Sequence, residues 1–270
     1  MNVYSIEGKV KKDIELPNVF AGRFRRDIVM RAILSEQSKR YQPQGNYLLA
    51  GLQTTAVYVG KYSAAYRRGR HMGIAIRPRQ KLGGGAMGDV RRIPSAVKGR
   101  RAHPHKIEKI LEERINSREY ALALKSAVAG CSDSALIRAR YEIDSKDLPL
   151  VVEDGIEQVS KSKELVKILA ALGASKDLEK SHAPKIRKGL KRLSGVRKFR
   201  KSVLIVSKST GAVERAGRNI PGVDVCPVNE LTVEKLAPGG EPRLSIWTEG
   251  ALSAINAAIS EEAIKKRREA

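Results

Sequence analysis

Residues 41–106 constrain this chain more than any other stretch: they contain Gly and Arg throughout, three consecutive glycines at 83–85, and no sustained helical or strand period. A structureless segment of that length inside a folded domain is either functional or disordered. Its charge separates the two. Residues 60–106 hold 13 Lys or Arg against one acid, Asp89, and residues 180–201 hold 10 against none. Together these 69 residues carry +22 of the formal +23, leaving the other 201 nearly neutral. A balanced body with two concentrated cationic segments is suited to a dense polyanion, RNA or DNA. Should residues 60–106 leave and return as one excursion, each arm of about 23 residues reaches at most about 75 Å, at about 3.3 Å per residue. Such a loop cannot pack on the body and is expected to lie inside something else.

Outside that stretch the pattern is regular. Val3 to Ile6 reads as a strand and Leu16-Pro17-Asn18-Val19-Phe20 as an extended apolar anchor. A helix is predicted from about Arg25 to Arg40, with Ile28, Val29, Ala32 and Ile33 on one face. Another starts at Asn116, an N-cap with Glu119 three residues on, and runs through Tyr120, Leu124 and Val128 to Gly130. Leu148–Val152 is strand-like. Leu165, Ile168, Leu169 and Leu172 then fall at helical spacing before Gly173. Val203-Leu204-Ile205-Val206 is a continuous apolar run, as in a strand covered on both faces. Strands at Val223–Val228 and Leu244–Thr248 follow, separated by a short helix ending before Pro238. Thr248 can cap a last helix with Leu252, Ile255 and Ile259 inward, and Lys265-Lys266-Arg267-Arg268 near its end. This alternation predicts an α/β fold, a mainly parallel sheet with helices on both faces plus one long extended internal loop. It is expected to form a single domain over residues 1–270, with an extended basic loop at about 41–106 and the second basic segment at 180–201.

Several functions lack support. No run approaches 18 apolar residues, so no membrane contact is expected. The N-terminus has no signal-peptide apolar region, which predicts a cytoplasmic protein. Cys131 and Cys226 lie far apart outside any CxxC pair and read as reduced core residues. His103 and His105 have no Cys or further His at ligand spacing, so neither a metal nor another cofactor is expected. Gly60-Lys61-Tyr62-Ser63 fails as a P-loop because Thr55 stands where glycine is required. No nucleophile elbow, HExxH or clustered carboxylate pair is present, so the α/β scaffold carries nothing that marks an enzyme.

The basic segments supply the candidate site. In the first, these are Lys61, Arg67, Arg68, Arg70, His71, Arg77, Arg79, Lys81, Arg91 and Arg92, then Lys98, Arg100, Arg101, His103 and Lys106. In the second, Lys185, Arg187, Lys188, Lys191 and Arg192 precede Arg197, Lys198, Arg200 and Lys201. Arg forks bind phosphate bidentately, and interspersed glycine lets the backbone approach closely. Aromatic residues make up 4 % of the chain, which favours phosphate contacts over base stacking.

The ordered set of motifs Leu16–Phe20, Ala50-Gly51-Leu52-Gln53-Thr54, Val97–Pro104, Leu236-Ala237-Pro238-Gly239-Gly240 and Trp247-Thr248-Glu249-Gly250-Ala251-Leu252 resembles the large-subunit ribosomal protein four family in its archaeal and eukaryotic form. The Lys-Gly-Arg-Arg-Ala-His-Pro run at 98–104 is the most specific of them. The resemblance implies an α/β domain at the surface of the large subunit and an internal loop threading into its rRNA. It also implies a loop tip that helps form the nascent-peptide exit tunnel, opposite large-subunit protein twenty-two. The partners implied are large-subunit rRNA, neighbouring large-subunit proteins and, transiently, the nascent peptide. By position Lys61 through Arg92 is the tip region, with Arg67, Arg70, His71 and Arg77 nearest the tunnel wall. The chain departs from the family at the start of the tip. Val59-Gly60-Lys61-Tyr62-Ser63 replaces a Trp-Gly-x-Gly-Arg-Gly run, and Gly69-Arg70-His71-Met72-Gly73 is the nearest equivalent. The expected protein is a structural rRNA-binding constituent of the ribosome, not an enzyme. The alternatives are an α/β nucleic-acid-processing enzyme or accessory factor with a basic clamp loop, and a DNA-compacting protein.

Overall fold

The run Val203–Val206 shows how the body is built: Val203 and Ile205 belong to one apolar core, Leu204 and Val206 to the other, and all four are fully buried. Alternate residues of a strand point to opposite faces, so both faces of this strand are covered. The computed structural model describes residues 1–58, 75–143, 147–184, 199–209 and 211–260. It divides into two units, one of residues 1–39 and 113–270, the other of residues 40–112.

In chain order the first unit opens with β1 (Asn2–Tyr4) and β2 (Val10–Asp13), then α1 (Arg26–Ser38). The second unit contributes β3 (Val57–Tyr58), β4 (Pro78–Lys81) and β5 (Met87–Val90). The first unit resumes with α2 (Ser117–Gly130), α3 (Ser134–Arg138), β6 (Leu150–Val152), α4 (Ser162–Ala171) and α5 (Ser175–His182). It closes with β7 (Leu204–Ser207), α6 (Gly211–Gly217), β8 (Asp224–Pro227), α7 (Val233–Leu236), β9 (Ser245–Thr248) and α8 (Glu249–Ala258). The large sheet has the order β2-β1-β6-β9-β7-β8; β2 is antiparallel to β1 and every other pairing is parallel. Residues of α1, α2, α7 and α8 fill the core on one face, and residues of α3, α4, α5 and α6 fill the other. This is the predicted α/β arrangement.

The local differences are informative. Residues 18–21 form a 3-10 turn instead of an extended segment, yet the anchoring role holds, because Phe20 meets Trp247 edge-on with ring centroids 5.2 Å apart. Asn116 is the N-cap of α2 but makes no side-chain capping bond, and Glu119 reaches Arg31 at 2.8 Å. Gly130 is the last residue of α2 without being a left-handed cap; packing requires the glycine, since a Cβ there would come within 2.6 Å of the Phe24 ring. Gly173, by contrast, does close α4 in the left-handed conformation, at φ +84. Thr248 caps α8 as expected, accepting from the Ala251 amide at 3.2 Å. Lys265–Arg268 lie outside the described residues.

Phe20→Ala removes the ring packed on Trp247, the chain's one tryptophan, and should cost about 3–5 kcal/mol. Urea unfolding followed by Trp247 emission measures it; a loss below about 1 kcal/mol would contradict this packing role.

Candidate nucleic-acid interface

The chain leaves the first unit after Lys39 and re-enters it at Glu113, and two serines tie these points together. Ser35 Oγ donates to the Glu113 carbonyl at 2.6 Å, while the Glu113 amide donates to Ser38 Oγ at 2.9 Å. Residues 40–112 hold 15 Lys or Arg against three acids. Among their described apolar side chains only Ala56 and Pro78 are buried, whereas Tyr41, Tyr47, Leu48, Tyr58, Val97 and Ile110 are 57–86 % exposed. A segment that buries so little cannot offset its own ordering entropy by the hydrophobic effect.

Backbone contacts shape it instead. β3, β4 and β5 form a small antiparallel sheet in which Val57 pairs with Arg79 and Tyr58 with Pro78. Its strands were hidden in the sequence because Pro-Arg-Gln-Lys in β4 carries no apolar alternation. Gly51, at φ +74, lies against Gly99, where a Cβ would meet the Gly99 carbonyl at 2.5 Å. Gly99 in turn presses on the Ile93 carbonyl with no room for a side chain. Two of the sequence motifs, Ala50–Thr54 and Val97–Pro104, therefore meet through paired glycines. Arg92 and Lys98 both adopt left-handed backbone, at φ 69 and 57, conformations that cost non-glycine residues energy.

The predicted cations divide by environment. Arg77, Lys81, Arg92, Lys98, Arg100, Arg101, His103 and Lys106 are exposed. Lys98, Arg100, Arg101, His103 and Lys106 have no acidic partner among the described residues. Arg91 is used internally: it donates to the Val97 carbonyl at 2.6 Å and pairs with Asp89 at 3.1 Å. Arg79 is partly buried and reaches the Ala75 carbonyl at 3.5 Å. Among the described residues Arg77 bonds only the neighbouring Ile76 carbonyl, at 3.0 Å. Lys61, Arg67, Arg68, Arg70 and His71 lie outside the described residues, as do Lys185, Arg187, Lys188, Lys191, Arg192, Arg197 and Lys198.

The ends of the second basic segment converge on one turn. Ser181 Oγ donates to the Pro221 carbonyl at 2.6 Å, and the Ser202 amide donates to the Gly222 carbonyl at 2.8 Å. Gly222, at φ +83, is wedged between them; a Cβ would lie 2.5 Å from the Arg200 carbonyl and 2.7 Å from Ser181 Cβ. Beneath sits Arg243, 1 % exposed, donating to the carbonyls of Ser202 (2.7 Å), Val203 (2.8 Å) and Gly222 (2.6 Å) and to Asp224 Oδ2 (2.5 Å). Arg200 is only partly open. Its guanidinium lies 3.0 Å from Oδ1 of buried Asp177, an ion pair without hydrogen-bond geometry, and packs 5.3 Å over the Tyr141 ring. Lys201 pairs with Asp224 at 2.8 Å. Sequence reasoning missed Arg243, Asp177 and Tyr141. The available signal was a lone Arg at the start of an apolar strand, which must be paired when buried.

Burial alone would raise the Asp224 carboxyl, but the charges of Arg243 and Lys201 and their hydrogen bonds outweigh it and hold the pKa below the usual carboxylate value. The associated stability is present above the unfolded carboxyl pKa and is lost as pH falls through the folded one.

In open α/β sheets ligands bind beyond the carboxyl ends of the parallel strands. Here the acids at that edge are occupied by neighbouring turns. Glu157 accepts from the Lys208 amide at 2.8 Å, Ser209 Oγ at 2.6 Å and Thr248 Oγ1 at 3.1 Å, and Asp154 accepts from the Gly250 amide at 2.8 Å. These carboxylates stabilise turns and a helix start, so the clamp-enzyme reading gains no support.

A sequence model of the ribosomal protein L4/L1 family matches residues 14–258. The chain belongs to this family. It is 41 % identical over 253 residues to the large ribosomal subunit protein uL4 of Methanospirillum hungatei, covering 93 % of this chain and 96 % of that protein. It is 38 % identical over 258 residues to the protein of the same name from Methanocaldococcus jannaschii, covering 94 % and 96 %. For that of Methanoculleus marisnigri the identity is 42 % over 253 residues, covering 93 % and 96 %. The motifs that carried the L4 resemblance are also the points where this fold is tied: Phe20 on Trp247, Gly51 on Gly99, and Gly240, at φ +82, packed against Met30.

Arg243→Met should destabilise the chain by about 3–5 kcal/mol, since it breaks a buried ion pair with Asp224 and removes hydrogen bonds to three carbonyls at once. Asp224→Asn should cost less at neutral pH, and its deficit should shrink toward zero in acid. Urea unfolding across pH measures both, and a deficit that grows as pH falls would contradict the assignment.

Proposed function

We propose that this chain is a structural constituent of the large ribosomal subunit, with no catalytic role, that binds large-subunit rRNA through residues 40–112 and the basic segment 180–201. One observation carries the reading: residues 40–112 combine a large cation excess with almost no buried apolar side chain among the described residues. Membership of the L4/L1 family and the uL4 relatives support it. Cations on a segment without its own core become ordered where phosphates are dense, because each neutralised phosphate releases counterions. The exposed Arg100, Arg101, Lys98 and Lys106 serve backbone phosphates, with 2′-hydroxyl contacts beside them. The site works in the cytoplasm, in the ribosome, among neighbouring large-subunit proteins. The finer assignment places Lys61 through Arg92 at the nascent-peptide exit tunnel, with Arg67, Arg70, His71 and Arg77 nearest its wall and protein twenty-two opposite. The nascent peptide is then a transient contact.

Replacing residues 40–112 with a short Gly-Ser linker between Lys39 and Glu113 should leave a folded body with an unchanged urea midpoint, because both apolar cores are built from residues of the first unit. That body should barely enter large subunits on a sucrose gradient. Normal incorporation would sink the claim that the segment anchors the protein.

Affinity of the full chain for large-subunit rRNA fragments should fall steeply with salt, and Arg100→Ala with Arg101→Ala should make the log–log slope shallower by about one unit each. A flat salt response would contradict phosphate-driven binding, and equal affinity for duplex DNA would favour the DNA-compacting reading.

A further inference from the structure

Of the three phenylalanines, Phe20 is 4 % exposed in the core and Phe24 packs against Gly130, whereas Phe199 is 47 % exposed. A lone exposed apolar side chain needs no explanation. This one lies near the end of a 22-residue stretch holding 10 cations and no acid, and it stands at the lip of a groove of about 440 Å³ whose other wall is the turn Arg218–Asp224. That volume falls within the range of small-ligand sites.

The polar groups of the groove sort into used and unused. Asp224, its one acid, is neutralised by Lys201 at 2.8 Å and Arg243 at 2.5 Å. The carbonyls of Pro221 and Gly222 are taken by Ser181, Ser202 and Arg243. Arg218 is exposed with no acidic partner among the described residues, and the Asn219 amide beside it is exposed too. What remains is an aromatic face, a free guanidinium and an amide around the Pro221–Gly222 turn. An unpaired nucleotide requires that combination: a ring for its base, a fork for its phosphate, and a donor and acceptor for the base edge.

We propose that this groove holds one unpaired nucleotide of large-subunit rRNA, its base stacked on the Phe199 ring and its phosphate on the Arg218 guanidinium. The proposal rests on the rRNA-binding reading and adds a base-stacking site to a unit for which composition alone predicted phosphate contacts. The wedge of Gly222 between the two ends of the basic segment gives the site its rigidity, because it fixes Arg200, and with it Phe199, against the opposite wall.

Ultraviolet irradiation of isolated large subunits, followed by mass spectrometry of peptide–nucleotide adducts, tests it. An adduct within residues 199–224 is expected. In subunits reconstituted with Arg218→Ala its yield should fall about tenfold, the loss of a hydrogen bond to a charged group, while adducts within residues 40–112 stay unchanged. Phe199→Tyr should keep the adduct and Phe199→Leu should lose it, with incorporation of both variants intact. A chain that sits in the subunit with adducts in residues 40–112 but none in 199–224, or an Arg218→Ala yield equal to the parent's, overturns the groove and leaves the rRNA reading standing. Absence of the chain from large subunits overturns both.

Discussion

The structure depends on a shortage of apolar burial. Residues 40–112 have the length of a small domain, and their described residues enclose almost none of their own apolar side chains. Fixing each backbone residue costs roughly 1–2 kcal/mol, a sum that the small three-stranded sheet and two buried apolar side chains among the described residues do not offset. Its order must come from outside, and its 15 cations against three acids specify what the outside is. Polyanion binding is thereby part of the folding problem, since the ordering entropy is met when phosphates arrive.

The first unit solves the opposite problem. Its sheet is covered on both faces, its buried Arg243 is tightly paired, and its two serine ties hold the points where the second unit departs and returns. The same device recurs at the second basic segment, where Ser181 and Ser202 bind adjacent carbonyls of one turn around a glycine. In both places a cationic segment is tethered at its ends by short, partly buried hydrogen bonds to a stable body. A flexible tail offers no such control, because only a segment held at both ends delivers its charges to a fixed location.

Much of this was legible in the sequence, for reasons that differ by element. The parallel strands declared themselves because full burial demands continuous apolar runs, as in Val203–Val206, and α4 because Leu165, Ile168, Leu169 and Leu172 share one face. β4 and β5 did not, because a sheet without a core has no apolar alternation to display. The cations were visible as charge, but their division was not. Arg91 and Arg200 look the same in sequence as Arg100 and Arg101, yet the first two brace the fold and the second two face solvent. Arg243 was overlooked because a single Arg before an apolar strand carries no periodic signal, although its burial makes it the hub of the β7–β8 edge.

Hydrogen–deuterium exchange on the free full-length chain and on the same chain within large subunits measures the central claim directly. The account predicts that amides of residues 40–112 exchange within seconds in the free protein and become strongly protected in the subunit, while those of β6, β7 and β9 are protected in both. Strong protection of residues 40–112 already in the free chain would contradict it, because the segment would then hold itself together without the polyanion.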